Sequence, residues 1–182
     1  DYKGRMTSAL HASRLADLRA QLKDRGLAGF IVPHADEHQS EYLPASAERL
    51  AWLTGFQGSA GTAIVMADEA AIFVDGRYTL QVRDQVDTGL FTPEHLMETA
   101  PTAWLADHAR PGNRIGYDPW LMTVEEVRRF ETACGKAGAE LMAVDGNLID
   151  AVWADRPAPP VSPVSLYPDS LSGETTASKV AR

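Results

Sequence analysis

Leu15, Leu18 and Leu22 stand three and four positions apart with charged residues between them, so the spacing predicts a helix over residues 10–26, stopped by Gly26. Residues 28–32 are a continuous apolar run, read as a short buried strand that Pro33 ends. A polar loop is expected over residues 34–42. Ser46 is placed to cap a short helix through Trp52, which runs into the turn Thr54-Gly-Phe-Gln-Gly58. Two more apolar runs, at 62–66 and 70–74, are split only by Ala67-Asp-Glu69, and a hairpin is the natural reading. Asp75-Gly76 ends the second strand, and helical periodicity resumes at 77–86 through Tyr78, Val82 and Val86. Helices are predicted at 102–109 and 123–137. The second opens on Thr123 with Glu126 three positions later, a capping box. Short strands are expected at 114–117 and 140–144.

Strands alternating with helices predict the α/β class, a mixed β-sheet flanked by helices, because the 62–74 hairpin rules out an all-parallel sheet. The pattern breaks at residues 156–168, where five prolines exclude both a helix and a sheet interior. That stretch reads as a semi-rigid linker. Four segments follow: an added leader at 1–6, a domain at 7–155, the Pro-rich linker at 156–170, and the start of a truncated second domain at 171–182.

Composition narrows the function classes. The formal charge of −8 and the scattered Lys and Arg argue against general nucleic-acid binding, since nothing offsets phosphate repulsion. Cys134 is the one cysteine; it lacks a disulfide or metal partner and is expected to be a buried thiol. No apolar stretch approaches the ~20 residues that cross a bilayer, and no signal-peptide pattern opens the chain. No membrane partner and a cytoplasmic location are therefore expected.

Some motifs invite chemistry. His34-Ala-Asp-Glu-His38 matches the spacing of an inverted zinc-protease motif, but zinc needs both imidazoles on one helix face, and this segment follows a strand and Pro33. A polar connecting loop is the reading taken. Gly55-Phe-Gln-Gly-Ser-Ala-Gly61 lacks the Lys-Ser/Thr ending of a phosphate loop and leads into a strand, so its glycines are assigned to tight backbone packing. Asp75 is placed to cap the following turn. Arg77 is then left near a strand end, where its paired donors suit a peptide carboxylate or carbonyl. The other reading is a surface salt bridge to Asp84 or Glu94, and spacing favours neither. Trp52, Trp104, Trp120 and Trp153 are expected mostly in the core, with one available to an interface. No Ser-His-Asp or Cys-His constellation can be assigned.

The ordered set Asp36-Glu-His-Gln-Ser-Glu-Tyr42, Leu53-Thr-Gly-Phe-Gln-Gly-Ser-Ala-Gly-Thr-Ala63, Val74-Asp-Gly-Arg-Tyr78, Gly116-Tyr-Asp-Pro119, Asn147-Leu-Ile-Asp150 and Val152-Trp-Ala-Asp-Arg-Pro157 resembles the N-terminal domain of three-domain Xaa-Pro aminopeptidases. These belong with prolidase and creatinase among the pita-bread metallopeptidases. The resemblance implies a creatinase-type, ribonuclease H-like fold. It implies a parent enzyme that removes the first residue from peptides with a penultimate proline. Two manganese ions would sit in a C-terminal domain absent here, and this portion would hold no cofactor and no catalytic residue. The implied partners are the peptide, the chain's own C-terminal domains and a second copy in a homodimer. Arg77 is implied to reach toward bound peptide, with His38 and Tyr42 in a matching loop. Glu37 departs from the family pattern, where a small residue is usual, and adds charge beside His38. A second reading stays open: a binding or oligomerisation module of a homologue that has lost catalysis.

Overall fold

Leu15, Leu18 and Leu22 form one stripe of the first helix, α1 (Tyr2–Asp24), and each is at most 3% exposed. The computed structural model describes the backbone of residues 2–182 and the side chains from Ser8 onward. The helix thus starts upstream of residue 10. The leader expected at 1–6 falls where Asp1 and all side chains lie outside the described residues. Gly26, at φ 63°, takes the left-handed conformation that ends the helical segment and turns the chain into β1 (Gly29–Pro33).

After α2 (Arg49–Thr54), Gly55 at φ 84° closes the helix with its N–H on the Ala51 carbonyl. The expected hairpin is present as β2 (Thr62–Met66) and β3 (Ala70–Val74). Then come α3 (Thr79–Gln85), β4 (Thr92–His95), α4 (Pro101–His108), β5 (Arg114–Tyr117), α5 (Val124–Lys136), β6 (Glu140–Ala143) and α6 (Leu148–Val152). Two short helices, α7 (Asp169–Ser172) and α8 (Thr176–Ala181), follow a stretch at 153–168 that forms neither helix nor strand.

The six strands form one sheet in the order β4-β3-β2-β1-β5-β6. Strand β2 is antiparallel to both β1 and β3, and the remaining neighbours pair in parallel. The sheet is mixed, as the hairpin required. Alternation along the strands divides the core between two faces. Phe30, Val32, Val65, Ile72 and Val74 pack with the leucines of α1 and with α2, α3 and α6 on one face. Ile31, Ile64, Phe73 and Ile115 pack with Trp104 of α4 and Phe130 and Cys134 of α5 on the other.

One local expectation needs correction, and two elements are added. Ser46 does not cap α2: Pro44 leads into a 3-10 turn (Ala45–Ala47) that buries Ser46, and Glu48 precedes α2 without a capping bond. Strand β4 and helix α6 were not anticipated. The first is a Pro-containing edge strand that pairs on one side only, and the second is a short helix capped by Asn147.

Candidate functional site

The C-terminal ends of β1, β3, β4, β5 and β6 lie at one edge of the sheet, fixed by the pairs Pro33 with Thr62, Val74 with His95 and Tyr117 with Ala143. The loops leaving these strands converge there, the position where α/β sheets place ligand contacts. His38, Tyr42 and Arg77 all sit in those loops.

Arg77 lies in the 3-10 turn Gly76–Tyr78 directly after β3. Asp75 opens the turn by accepting the Arg77 backbone N–H at 2.9 Å. The same carboxylate takes Nε at 3.1 Å on both oxygens and Nη2 at 2.7 Å. The salt bridge of Arg77 is therefore to Asp75, two residues away, and not to Asp84 or Glu94. These hydrogen bonds from Arg77 hold the Asp75 carboxyl below the usual carboxylate range, against the opposing pull of burial. Asp75 in turn raises the Arg77 guanidinium, and Glu41 adds to the same field.

The guanidinium carbon stands 5.1 Å from the centroid of the Tyr78 ring. That ring is itself held: its hydroxyl lies 2.8 Å from Ser59 Oγ and accepts the Ser59 N–H at 3.2 Å, and it meets Phe56 edge-on at 5.5 Å. Gly58 must be small here, because a Cβ would stand 2.3 Å from Phe56 Cζ. The glycine-rich turn thus seats the aromatic base beneath Arg77.

His38 and Tyr42 sit in the 34–44 loop. Asp36 organises it by accepting the backbone N–H groups of His38 at 3.0 Å and Ser40 at 2.9 Å. Burial pushes the Asp36 carboxyl up, but the Ser40 and His38 donors outweigh it and hold the group below its ordinary value. Gln39 crosses to the Leu121 carbonyl at 3.2 Å and ties this loop to the one after β5. The His38 imidazole is exposed, 3.9 Å from Glu37, and Tyr42 is 82% exposed. Among the described residues no hydrogen bond or ion pair joins Arg77, His38 and Tyr42 to one another.

His38 also lines a cleft of about 580 Å³ between the segments at 36–49, 118–121 and 146–150 and the prolines Pro159 and Pro160. Its wall contains groups that sequence reading did not assign. Asp150 binds Arg49 through two bonds of 2.7 and 2.9 Å and Arg156 through one of 2.7 Å. Arg156 also donates to the Ser46 carbonyl at 2.8 Å. Asp118 accepts from Asn147 at 2.8 Å and from the Trp120 backbone N–H at 2.9 Å. The bonds from Arg49 to Asp150, from Arg156 to Ser46 and from Asn147 to Asp118 join residues 101, 110 and 29 positions apart, and the capping preference of Asn147 was a local signal. Trp120 is 76% exposed at the rim, whereas Trp104 and Trp153 are buried, at 6% and 8%.

The His34 to His38 segment is a loop, so the helical zinc geometry is not formed. Among the described residues no group of three or more His, Cys, Asp or Glu is arranged to hold a metal ion. The two manganese ions implied by the resemblance thus find no fitting ligand set in these residues. Cys134 is buried in α5, and burial pushes its thiol up to about 11, as expected of an inert structural cysteine.

Comparison with known proteins gives one consistent result. The family described as Creatinase/Prolidase N-terminal domain matches residues 14–152. A probable Xaa-Pro aminopeptidase P of Aspergillus fumigatus is 38% identical over 183 residues, spanning 99% of this chain and 28% of the relative. Human Xaa-Pro aminopeptidase 2 is 34% identical over 168 residues, spanning 92% of this chain and 25% of the relative. The chain therefore spans between a quarter and three tenths of the curated relatives it matches. A solved X-prolyl aminopeptidase of Caenorhabditis elegans, described as a cytosolic enzyme with a di-nuclear active site, superposes with a TM-score of 0.85 at 29% identity. The match covers 94% of this chain and 30% of that one. The N-terminal domain of a metallopeptidase from Corynebacterium diphtheriae gives a TM-score of 0.59 at 25% identity over 75% of this chain and 98% of that one.

Proposed function

The chain belongs to the creatinase/prolidase N-terminal domain family, and from that premise we propose that it is the non-catalytic N-terminal domain of an Xaa-Pro aminopeptidase. The carrying observation is a likeness to such enzymes that runs along 99% of this chain yet covers 28% of the relative. In this reading the complete enzyme removes the first residue from peptides with proline second. The two manganese ions and their ligands belong to the remainder of that enzyme, which is cytoplasmic and homodimeric. The segment at 156–170 connects the domain to the next one, and 171–182 opens it.

The domain's own contribution is binding. Arg77 offers donors to an oxygen of the bound peptide, and His38 and Tyr42 line the same edge of the sheet. Support comes from placement: all three occupy loops at the edge where strands of an α/β sheet end. Support also comes from Arg77 being held from two sides while its side chain stays 64% exposed.

Steady-state kinetics test this reading. The complete enzyme with manganese should release the first residue from Xaa-Pro peptides, and the 182-residue chain alone should release none above background. Arg77→Ala in the complete enzyme should lower kcat/KM by about tenfold or more, the loss expected for one charged hydrogen bond. Activity from the isolated chain would overturn the non-catalytic assignment, and unchanged kinetics would remove Arg77 from the site.

A further inference from the structure

We propose that Asp75 is a positioning residue that turns Arg77 into an anchor for a neutral peptide carbonyl rather than a clamp for a terminal carboxylate. The inference rests on the reading of Arg77 as a peptide-binding residue and adds what that residue selects.

A guanidinium presents five N–H donors in a planar fork. Asp75 occupies the Nε side of the fork, with contacts of 3.1 Å to Nε and 2.7 Å to Nη2. The Tyr78 ring, 5.1 Å away, lies against the guanidinium. Nη1 and the outer N–H of Nη2 remain for a ligand. Because Asp75 also accepts the Arg77 backbone N–H at 2.9 Å, the carboxylate that aims the side chain is fixed to the turn that carries it. The donor edge is therefore aimed before any peptide arrives, which reduces the ordering cost of binding.

Charge decides what that edge prefers. Asp75 neutralises Arg77 through its direct ion pair, and the exposed Glu41 carboxylate adds a weaker pull on the same guanidinium. The Asp75–Arg77 pair carries no net charge, and its carboxylate flanks the free donor edge. A peptide carboxylate approaching here meets repulsion that offsets much of its attraction to Arg77, whereas a backbone carbonyl takes the same hydrogen bonds without that penalty. An isolated arginine would have the opposite preference.

The test compares peptides Xaa-Pro-Xaa and their extensions by one and two residues, each with a free or amidated C-terminus, in the complete enzyme near neutral pH. Wild type should use the amide at least as well as the acid at every length. Asp75→Asn keeps the side-chain oxygen for the backbone N–H and removes the charge. It should swing the acid-to-amide ratio of kcat/KM toward the acid by about fivefold at the length that brings the terminus to Arg77, mainly through KM. Glu41→Gln, a change on an exposed loop, should move the ratio the same way by a smaller factor. In the 182-residue chain, the Arg77 Nε–Hε resonance should be sharp and slowly exchanging in wild type and broadened in Asp75→Asn.

A wild-type preference for the acid, or a ratio unmoved by both substitutions at every length, overturns the inference while Arg77→Ala still impairs turnover. An Arg77→Ala enzyme with wild-type kinetics on all the peptides overturns the underlying reading instead. An Arg77 resonance unaltered by Asp75→Asn overturns the positioning role.

Discussion

Asp150 accepts from two arginines at once, Arg49 at 2.7 and 2.9 Å and Arg156 at 2.7 Å. Arg49 is buried, with 7% of its side chain exposed, and its Nη1 has no partner among the described residues. Without Asp150 the Arg49 charge would be buried and uncompensated. Asp150→Ala should therefore cost about 3 kcal/mol of unfolding free energy, read from urea midpoints, the usual loss when one half of a buried pair is removed. A cost near zero would show that the pair is idle. His11 makes a different prediction. It is 6% exposed, and Nδ1 donates to the Leu53 carbonyl at 3.1 Å. Burial holds its pKa below the ordinary 6.5; the Leu53 carbonyl opposes this, Arg14 adds to the lowering, and Asp87 opposes it. As pH falls through 6.5 the unfolded chain takes the proton first, so this contribution is full above that value and is lost toward the folded pKa. His11→Gln should flatten the stability curve between about pH 7 and pH 5, and an unchanged slope would assign the acid sensitivity to other groups.

At the scale of elements, the capping box of α5 makes the plainest prediction. The Thr123 hydroxyl accepts the Glu126 N–H at 3.3 Å, and the Glu126 carboxylate accepts the Thr123 N–H at 2.8 Å. Thr123→Ala should lower stability by about 1 kcal/mol in urea unfolding; no loss would mean that packing of Phe130 and Cys134 alone sets the start of the helix. This box was legible in the sequence because its partners are three residues apart. So was the β2–β3 hairpin, whose apolar runs are joined by three residues, and so was the placement of Arg77 after a strand. Strand β4 was not legible, since Thr92-Pro-Glu-His95 has neither alternation nor β-branched density and owes its form to pairing with β3. The cleft wall was equally hidden. Arg49 and Asp150 are 101 positions apart, and no local pattern announces such a pair. Arg77 was placed by local spacing, but the partners that spacing offered for a salt bridge, Asp84 and Glu94, are not the one it takes, since Asp75 two residues back both caps the turn and holds the side chain.

The whole molecule is a sheet with a core on each face, followed by a segment that shares neither. The first face is closed by α1, α2, α3 and α6 and the second by α4 and α5, so the apolar strands are covered before residue 154. From 157 to 168 every residue is exposed, Val161, Val164 and Leu166 at 94% or more. Arg156 joins this segment to the body through the Ser46 carbonyl and Asp150, and Pro159 and Pro160 border the cleft that His38 lines. The same arrangement makes the body independent of the segment. A protease that cuts beside exposed aliphatic residues should nick the chain first between 160 and 167. The trimmed body, still holding Arg156, should keep its thermal midpoint within about 2 °C, because no buried apolar contact is lost. A first cut inside the sheet, or a midpoint lowered by more than about 5 °C, would mean that the segment packs on the body.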